Sequence, residues 1–236
     1  MLAMSELGRV AALWRYPVKS MAGEGLTEID VWFEGFAGDR RWAFVRDGMT
    51  RSNFPWLTIR EQPQMCHYRP SFTDPDRPES STTMVRTPAG ADLDVVDPAL
   101  ATELGTSVPV IKTARGFFDA SPLSLITTQT LAALGATVGT ELIALRFRPN
   151  LVVTAADDAP FQEDSWVGSV LRIGGMQMRV DKRDSRCVMV NVDPVTAERD
   201  PAVLRAIAHE RQACLGVYGS PVEPGPVALG DKVSRA

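Results

Sequence analysis

Apolar residues in this chain come in short runs, and the residues that interrupt regular backbone are spread throughout it, with 18 glycines and 17 prolines among 236 residues. Proline removes a backbone donor, and glycine weakens a helix through lost backbone entropy. A helical bundle is therefore a poor fit, and many short strands joined by turns a good one. The expected fold is mainly β with a few short helices, an α+β arrangement. With 44% hydrophobic residues, the chain is long enough for one large domain or two small ones with cores of their own.

The formal net charge of −4 gives no general attraction to nucleic acid or an anionic membrane, so any basic site has to be local. Cys66, Cys187 and Cys214 are widely spaced and odd in number, which argues against a secreted disulfide framework and for a reducing, cytoplasmic setting. Three thiols cannot by themselves hold a plant-type iron–sulfur cluster, which takes four. Met1 to Val10 carries charged residues where a signal peptide has its apolar core. No run approaches the ~18 apolar residues of a membrane span.

Local patterns place the elements. Arg9 to Trp14 reads as a strand, followed by a turn at Pro17. Leu26 to Gly35 alternates as one half-buried strand. The next strand starts near Asp39 and Arg40, with Arg40 on the face of Trp42 and wanting a partner such as Asp39 or a bound phosphate. Asp97 caps a short helix with Pro98 at its first position. Leu123 to Ile126 is a strand, and Thr127 or Thr128 caps a helix that runs through Leu134 and stops at Gly135. Pro149 forces extended backbone on Arg148. Glu163 and Asp164 cap a turn, Trp166 packs, and Gly174 and Gly175 form a hairpin. A last helix starts at Asp200 and Pro201.

The chemistry concentrates in RDSRC, Arg183 to Cys187. A thiolate is the nucleophilic and metal-binding form of cysteine, and cations such as Arg183 and Arg186 stabilise its charge. The run Val188 to Val192 reads as a strand entering the core, which would set Cys187 at a strand mouth. A soft thiolate there suits a transition metal better than Mg²⁺ or Ca²⁺. The plain alternative is a buried small hydrophobe. Elsewhere, Lys19 and Ser20 supply an ammonium and a hydroxyl suited to a phosphate or other acidic oxygen, or are a solvated loop. Cys66 and His67 are adjacent on an extended segment, face opposite ways, and read as structural.

Motifs spaced along the chain resemble the MOSC domain, named for the C-terminal part of molybdenum cofactor sulfurases. They are RFRPNLVV (Arg146 to Val153), EDSWVGSVLRIG (Glu163 to Gly174), RDSRC and VDPVT (Val192 to Thr196). YPVKSMAG (Tyr16 to Gly23), GDRRW (Gly38 to Trp42) and FDASPLSLIT (Phe118 to Thr127) resemble the N-terminal β-barrel segment and domain junction of the amidoxime-reducing, molybdenum-dependent branch. The resemblance implies a MOSC β-barrel at 117–236 packed with an N-terminal β-barrel-like domain at 5–116. It implies molybdenum cofactor held by Lys19, Ser20, Arg40, Ser121, Arg148, Asn150, Ser185 and Arg186, with Cys187 as the metal ligand. Arg60, in WLTIREQPQM, falls on the family's Thr-x-Arg element. Position 120, often a hydroxyl residue there, is alanine here.

The implied reaction is two-electron reduction of an N-oxygenated small molecule, with Cys187 and Arg186 as catalytic residues. Without a ferredoxin segment, electrons are expected from a separate protein of ferredoxin, flavodoxin or cytochrome-reductase type. Nothing in the chain suggests a pyridoxal phosphate site. The alternative, of a different class, is a carrier that hands molybdenum cofactor or sulfur to other enzymes.

Overall fold

A computed structural model describes residues 6–49 and 51–236; the start of the first expected unit and part of the stretch read for a targeting signal lie outside them. Its organising element is β1 (Glu6–Arg15), which pairs with three strands, one close by in sequence, one from the second half of the chain and one from its far end. Buried positions along β1 switch parity, with Gly8 and Val10 inside and then Leu13 and Arg15. The register against its neighbour shifts between Val10 and Ala12, so a β-bulge turns the inward face over.

The expected mainly-β architecture holds, as a closed seven-stranded barrel. Its order is β11 (Leu151–Ala155), β10 (Leu123–Thr127), β14 (Cys214–Glu223), β13 (Met176–Ser185), β12 (Val170–Ile173), β16 (Lys232–Arg235) and β1, closed by β1 on β11. β10 and β11 run parallel. A parallel pair needs a crossover, here α2 (Thr128–Val138), and every residue of β10 is buried, as befits a strand covered on both faces. Leu125, Leu151, Val153, Trp166, Met178, Val217 and Val233 belong to the barrel core. β2 (Glu24–Leu26) extends the sheet beside β1.

The remaining strands form small sheets. β3 (Glu28–Trp32) lies between β4 (Gly35–Phe36) and β15 (Gly225–Ala228); β5 (Trp42–Ala43) pairs β9 (Ile111–Lys112); β6 (Arg69–Phe72), β7 (Thr83–Arg86) and β8 (Asp92–Asp94) make a meander. The single strand expected over Leu26 to Gly35 is thus broken, and the strand expected from Arg40 begins only at Trp42. Val18, Phe44, Met65 and Leu100, the last on α1 (Pro98–Glu103), form a second core. α2 and α3 (Pro201–Arg211) cover the barrel's outside through a third core that includes Leu134, Val203 and Ile207.

Helix starts follow the expected caps: Asp97, Thr127 and Asp200 each accept a backbone N–H of the first turn. α2, however, continues past Gly135 to Val138 and ends on Gly139 in left-handed geometry. Gly135 stays helical because its missing side chain lets Thr140 O approach; an added Cβ would lie 2.9 Å from that oxygen. Among the described residues no helix is long and apolar enough to cross a membrane.

Candidate functional site

The stretch after Cys187, expected as a strand, is a 3-10 turn at Val188–Asn191. Its last carbonyls meet a side chain: Arg146 Nη1 donates to Val190 O (3.3 Å) and to Asn191 O (3.2 Å), which also accepts from Asp200 N (2.7 Å), while Nη2 pairs with Asp193. Val190 then packs among the helices and Val192 in the second core. Anchored in two directions, the turn holds Cys187 partly exposed at its start.

Cys187 lines a cleft of about 290 Å³. The structure brings every expected site residue to it: Lys19, Ser20 and Arg40 from the N-terminal half, Ser121, Arg148 and Asn150 around β10 and β11, and Ser185 and Arg186 at the end of β13. Arg60 and Arg146 line it too.

Tyr16, not foreseen from the sequence, is the platform on which two of these arginines rest. It is fully buried, and its ring carries the Arg148 guanidinium at 4.3 Å and that of Arg40 at 4.7 Å. Its hydroxyl donates to Pro149 O (3.1 Å), and its N–H to Asp39 Oδ1 (2.7 Å). Asp39, equally buried, also accepts from Arg40 and from Asn150 Nδ2 (3.0 Å). Asn150 Oδ1 accepts from Ser124 N (3.2 Å). Burial works against the Arg40 charge, but Asp39 and Tyr16 more than offset it and hold its pKa above the ordinary value.

Arg148 has no such partner. Nη1 donates to Met21 O (2.6 Å), and Nη2 is buried with no hydrogen bond. Burial, together with repulsion from Arg40, brings its pKa down to about 10. Ser20 Oγ is also buried without a partner. Such groups are costly unless something satisfies them.

The backbone is strained at the same places. Ser20 (φ 69°), Arg40 (φ 51°) and Arg148 (φ 52°) all adopt left-handed geometry without being glycine. For Arg148 this replaces the extended backbone expected before Pro149: its N–H closes the preceding 3-10 turn on Leu145 O. Each costs about 1–2 kcal/mol, and such strain collects at functional sites.

Lys19 is tied down differently, with Nζ on Phe117 O (2.8 Å) and Asp119. Burial lowers its pKa, although Asp119 opposes this. The cation against the thiol is neither arginine of RDSRC. Arg60 Nη2 donates to Cys187 Sγ (3.3 Å), whereas Arg183 pairs with Asp164 and donates to Arg211 O (2.8 Å), outside the cleft. Arg186 bonds Leu215 O and Phe147 O, each at 2.8 Å.

These features define a class, the β-barrel protein with a basic, strained cleft that gathers cations around one thiol. Family comparison names it. The MOSC domain matches residues 112–234 and the MOSC N-terminal beta barrel domain matches residues 7–114, so the chain belongs to the MOSC domain family. Human mitochondrial amidoxime-reducing component 1 is 25% identical over 98% of this chain and 83% of its own length. A molybdenum cofactor sulfurase from Caenorhabditis elegans is 25% identical over 89% of this chain. The chain spans about a third (33%) of that sulfurase. Among solved structures, the YUAD protein from Bacillus subtilis shares the fold, with a TM-score of 0.54 at 12% identity over 96% of this chain and 93% of its own.

Proposed function

We propose that the cleft binds molybdenum cofactor and that the chain reduces N-oxygenated compounds such as hydroxylamines and amidoximes. The observation that carries this is the meeting, in one cleft, of the Cys187 thiol with an arginine that has no acid partner and a buried, unsatisfied Nη2, and a buried hydroxyl that has no hydrogen bond. The fit is chemical: the cofactor brings an anionic phosphate and a metal that takes thiolate sulfur. When bound, it supplies two-electron oxygen-atom transfer, which no side chain here provides.

The chain's own residues then have defined tasks. Arg148, with its free Nη2, and Ser20 hold the phosphate; a planar guanidinium offers a fork that an ammonium does not. Tyr16, Asp39 and Asn150 keep Arg40 and Arg148 in place. Ser121 and Ser185 border the pterin, and Cys187 ligates the metal. Arg186 and Arg60 set the positive field around the reacting oxygen. In the overall reaction the N–O bond breaks and the oxygen leaves as water, with two protons from solvent and two electrons from a separate flavin or iron–sulfur protein.

Elemental analysis of protein made in a cofactor-competent host tests the binding, and turnover of an amidoxime with an artificial electron donor tests the reaction. Cys187→Ser is expected to remove both molybdenum and turnover while the fold persists. Molybdenum retained without turnover would instead favour the carrier reading. Undiminished turnover in Cys187→Ser would refute the ligand assignment.

A further inference from the structure

Two carboxylates line the cleft, and their surroundings push them opposite ways. Around Asp119, burial favours the neutral acid, but Lys19 and Arg60 outweigh it and hold the carboxyl below its usual range. Asp184, at the end of β13, is 1% exposed. It lies 2.8 Å from Arg186 Nη2, at ion-pair distance but out of line for a hydrogen bond, so this pairing satisfies neither group; the Tyr218 hydroxyl is the other polar neighbour of the carboxylate, too poorly placed to close a good hydrogen bond. Burial pushes the Asp184 carboxyl up to about 6 despite Arg186. Two acids driven apart in this way divide the labour, one staying charged and the other carrying protons.

The geometry around Arg186 says what that proton does. Nε and Nη1 are committed to the carbonyls of Leu215 and Phe147, leaving Nη2 facing Asp184 alone. An anion entering the cleft competes with Asp184 for Nη2 and repels its carboxylate. Protonating Asp184 removes both obstacles.

We infer that Asp184 is the proton-holding residue of this cleft, taking up one proton when an anionic group enters and so freeing Arg186 Nη2 to face that group. The inference rests on the reading of the cleft as an anion site. The groups acting on Asp184 come from four segments: Arg186 after β13, Tyr218 on β14, Arg40 before β5 and Asp119 before β10. Tyr218 is itself raised above the ordinary phenol value, by burial first and by Asp184. The chain's two histidines, His67 and His209, do not line the cleft.

The test uses inorganic sulfate, whose charge is constant across the neutral range, and a Cys187→Ser parent so that the thiol contributes no proton. Between about pH 5 and about pH 8, sulfate affinity is expected to weaken about tenfold, and Asp184→Asn is expected to abolish that dependence. Sulfate binding that is flat with pH, or a dependence that survives in Asp184→Asn, overturns the proposal and leaves the anion site standing. Absence of sulfate binding, or binding indifferent to Arg148→Ala, overturns both. Should Asp184→Asn not fold, infrared difference spectra of the parent decide at neutral pH. A protonated-carboxyl band gained with sulfate supports the proposal, and its absence overturns it.

Discussion

One nitrogen of Arg60, Nη2, lies 3.3 Å from Cys187 Sγ and 3.3 Å from Asp119 Oδ2, so a residue 127 positions away in sequence is the cation in contact with the thiol. Phe54 carries the guanidinium at 5.0 Å, and Arg199 Nη2 donates to the backbone carbonyl of Arg60 (2.6 Å), which fixes the main chain from which the side chain projects. Arg60 therefore shapes how charged reagents approach Cys187.

Alkylation of Cys187 by iodoacetate and by iodoacetamide, followed by mass spectrometry of the labelled peptide, reads that influence directly. Both reagents attack the same sulfur, so the ratio of their rates isolates the effect of reagent charge. Arg60→Ala is expected to lower the iodoacetate-to-iodoacetamide ratio about tenfold, matching a charged contact of about 1.5 kcal/mol, and Arg60→Lys to restore part of it. An unchanged ratio would remove Arg60 from the thiol's electrostatics.

Arg148 is held at a cost to the empty protein. It is half-buried beside Arg40, has no acid partner and keeps a buried, unsatisfied Nη2, and burial brings its pKa down to about 10. A pKa lowered in the folded state means that the charged form is penalised there. At neutral pH, where it is charged folded or unfolded, the penalty is present in full, on the order of 1–3 kcal/mol. Arg148→Met is therefore expected to leave the ligand-free protein no less stable in urea, while sulfate affinity drops by about tenfold or more. A clear loss of urea stability would assign Arg148 a structural role instead.

The parts of this molecule legible in its sequence are those governed by local chemistry. Asp97, Thr127 and Asp200 cap helices because a short side-chain oxygen reaches an N–H two or three residues on. The hairpin at Gly174 and Gly175 joins Ile173 to Met176 as the turn residues imply. What stayed hidden depends on distant partners. Nothing local announces left-handed backbone at Ser20, Arg40 or Arg148, none of them glycine or asparagine; Arg40 is held so by its N–H on Tyr16 O (2.7 Å). Proximity in sequence also misleads about charge. Arg183 is four residues from Cys187 yet serves Asp164 and the end of α3, while Arg60 arrives from the other half of the chain.

The turn after Cys187 shows the same dependence, and it yields the last prediction. Valines dominate Val188 to Val192 and favour a strand, but Arg146 offers the Val190 carbonyl a partner that no neighbouring strand supplies, and shares Asn191 O with the Asp200 N–H (2.7 Å). The same guanidinium is paired with Asp193, so one side chain holds the far end of the turn and the residue that follows it. Arg146→Ala leaves the Val190 carbonyl to solvent, that of Asn191 with the Asp200 N–H alone (2.7 Å) and Asp193 without its arginine, an expected loss of about 2–4 kcal/mol in urea unfolding. Because Cys187 sits at the head of this turn, the thiol loses its fixed distance from Arg60, and the iodoacetate preference is expected to fall even though Arg60 is intact. Arg146→Lys keeps the charge but not the fork, so the pairing with Asp193 is retained more fully than the carbonyl contacts. Wild-type alkylation selectivity in a destabilised Arg146→Ala protein would separate the turn from the placement of the thiol.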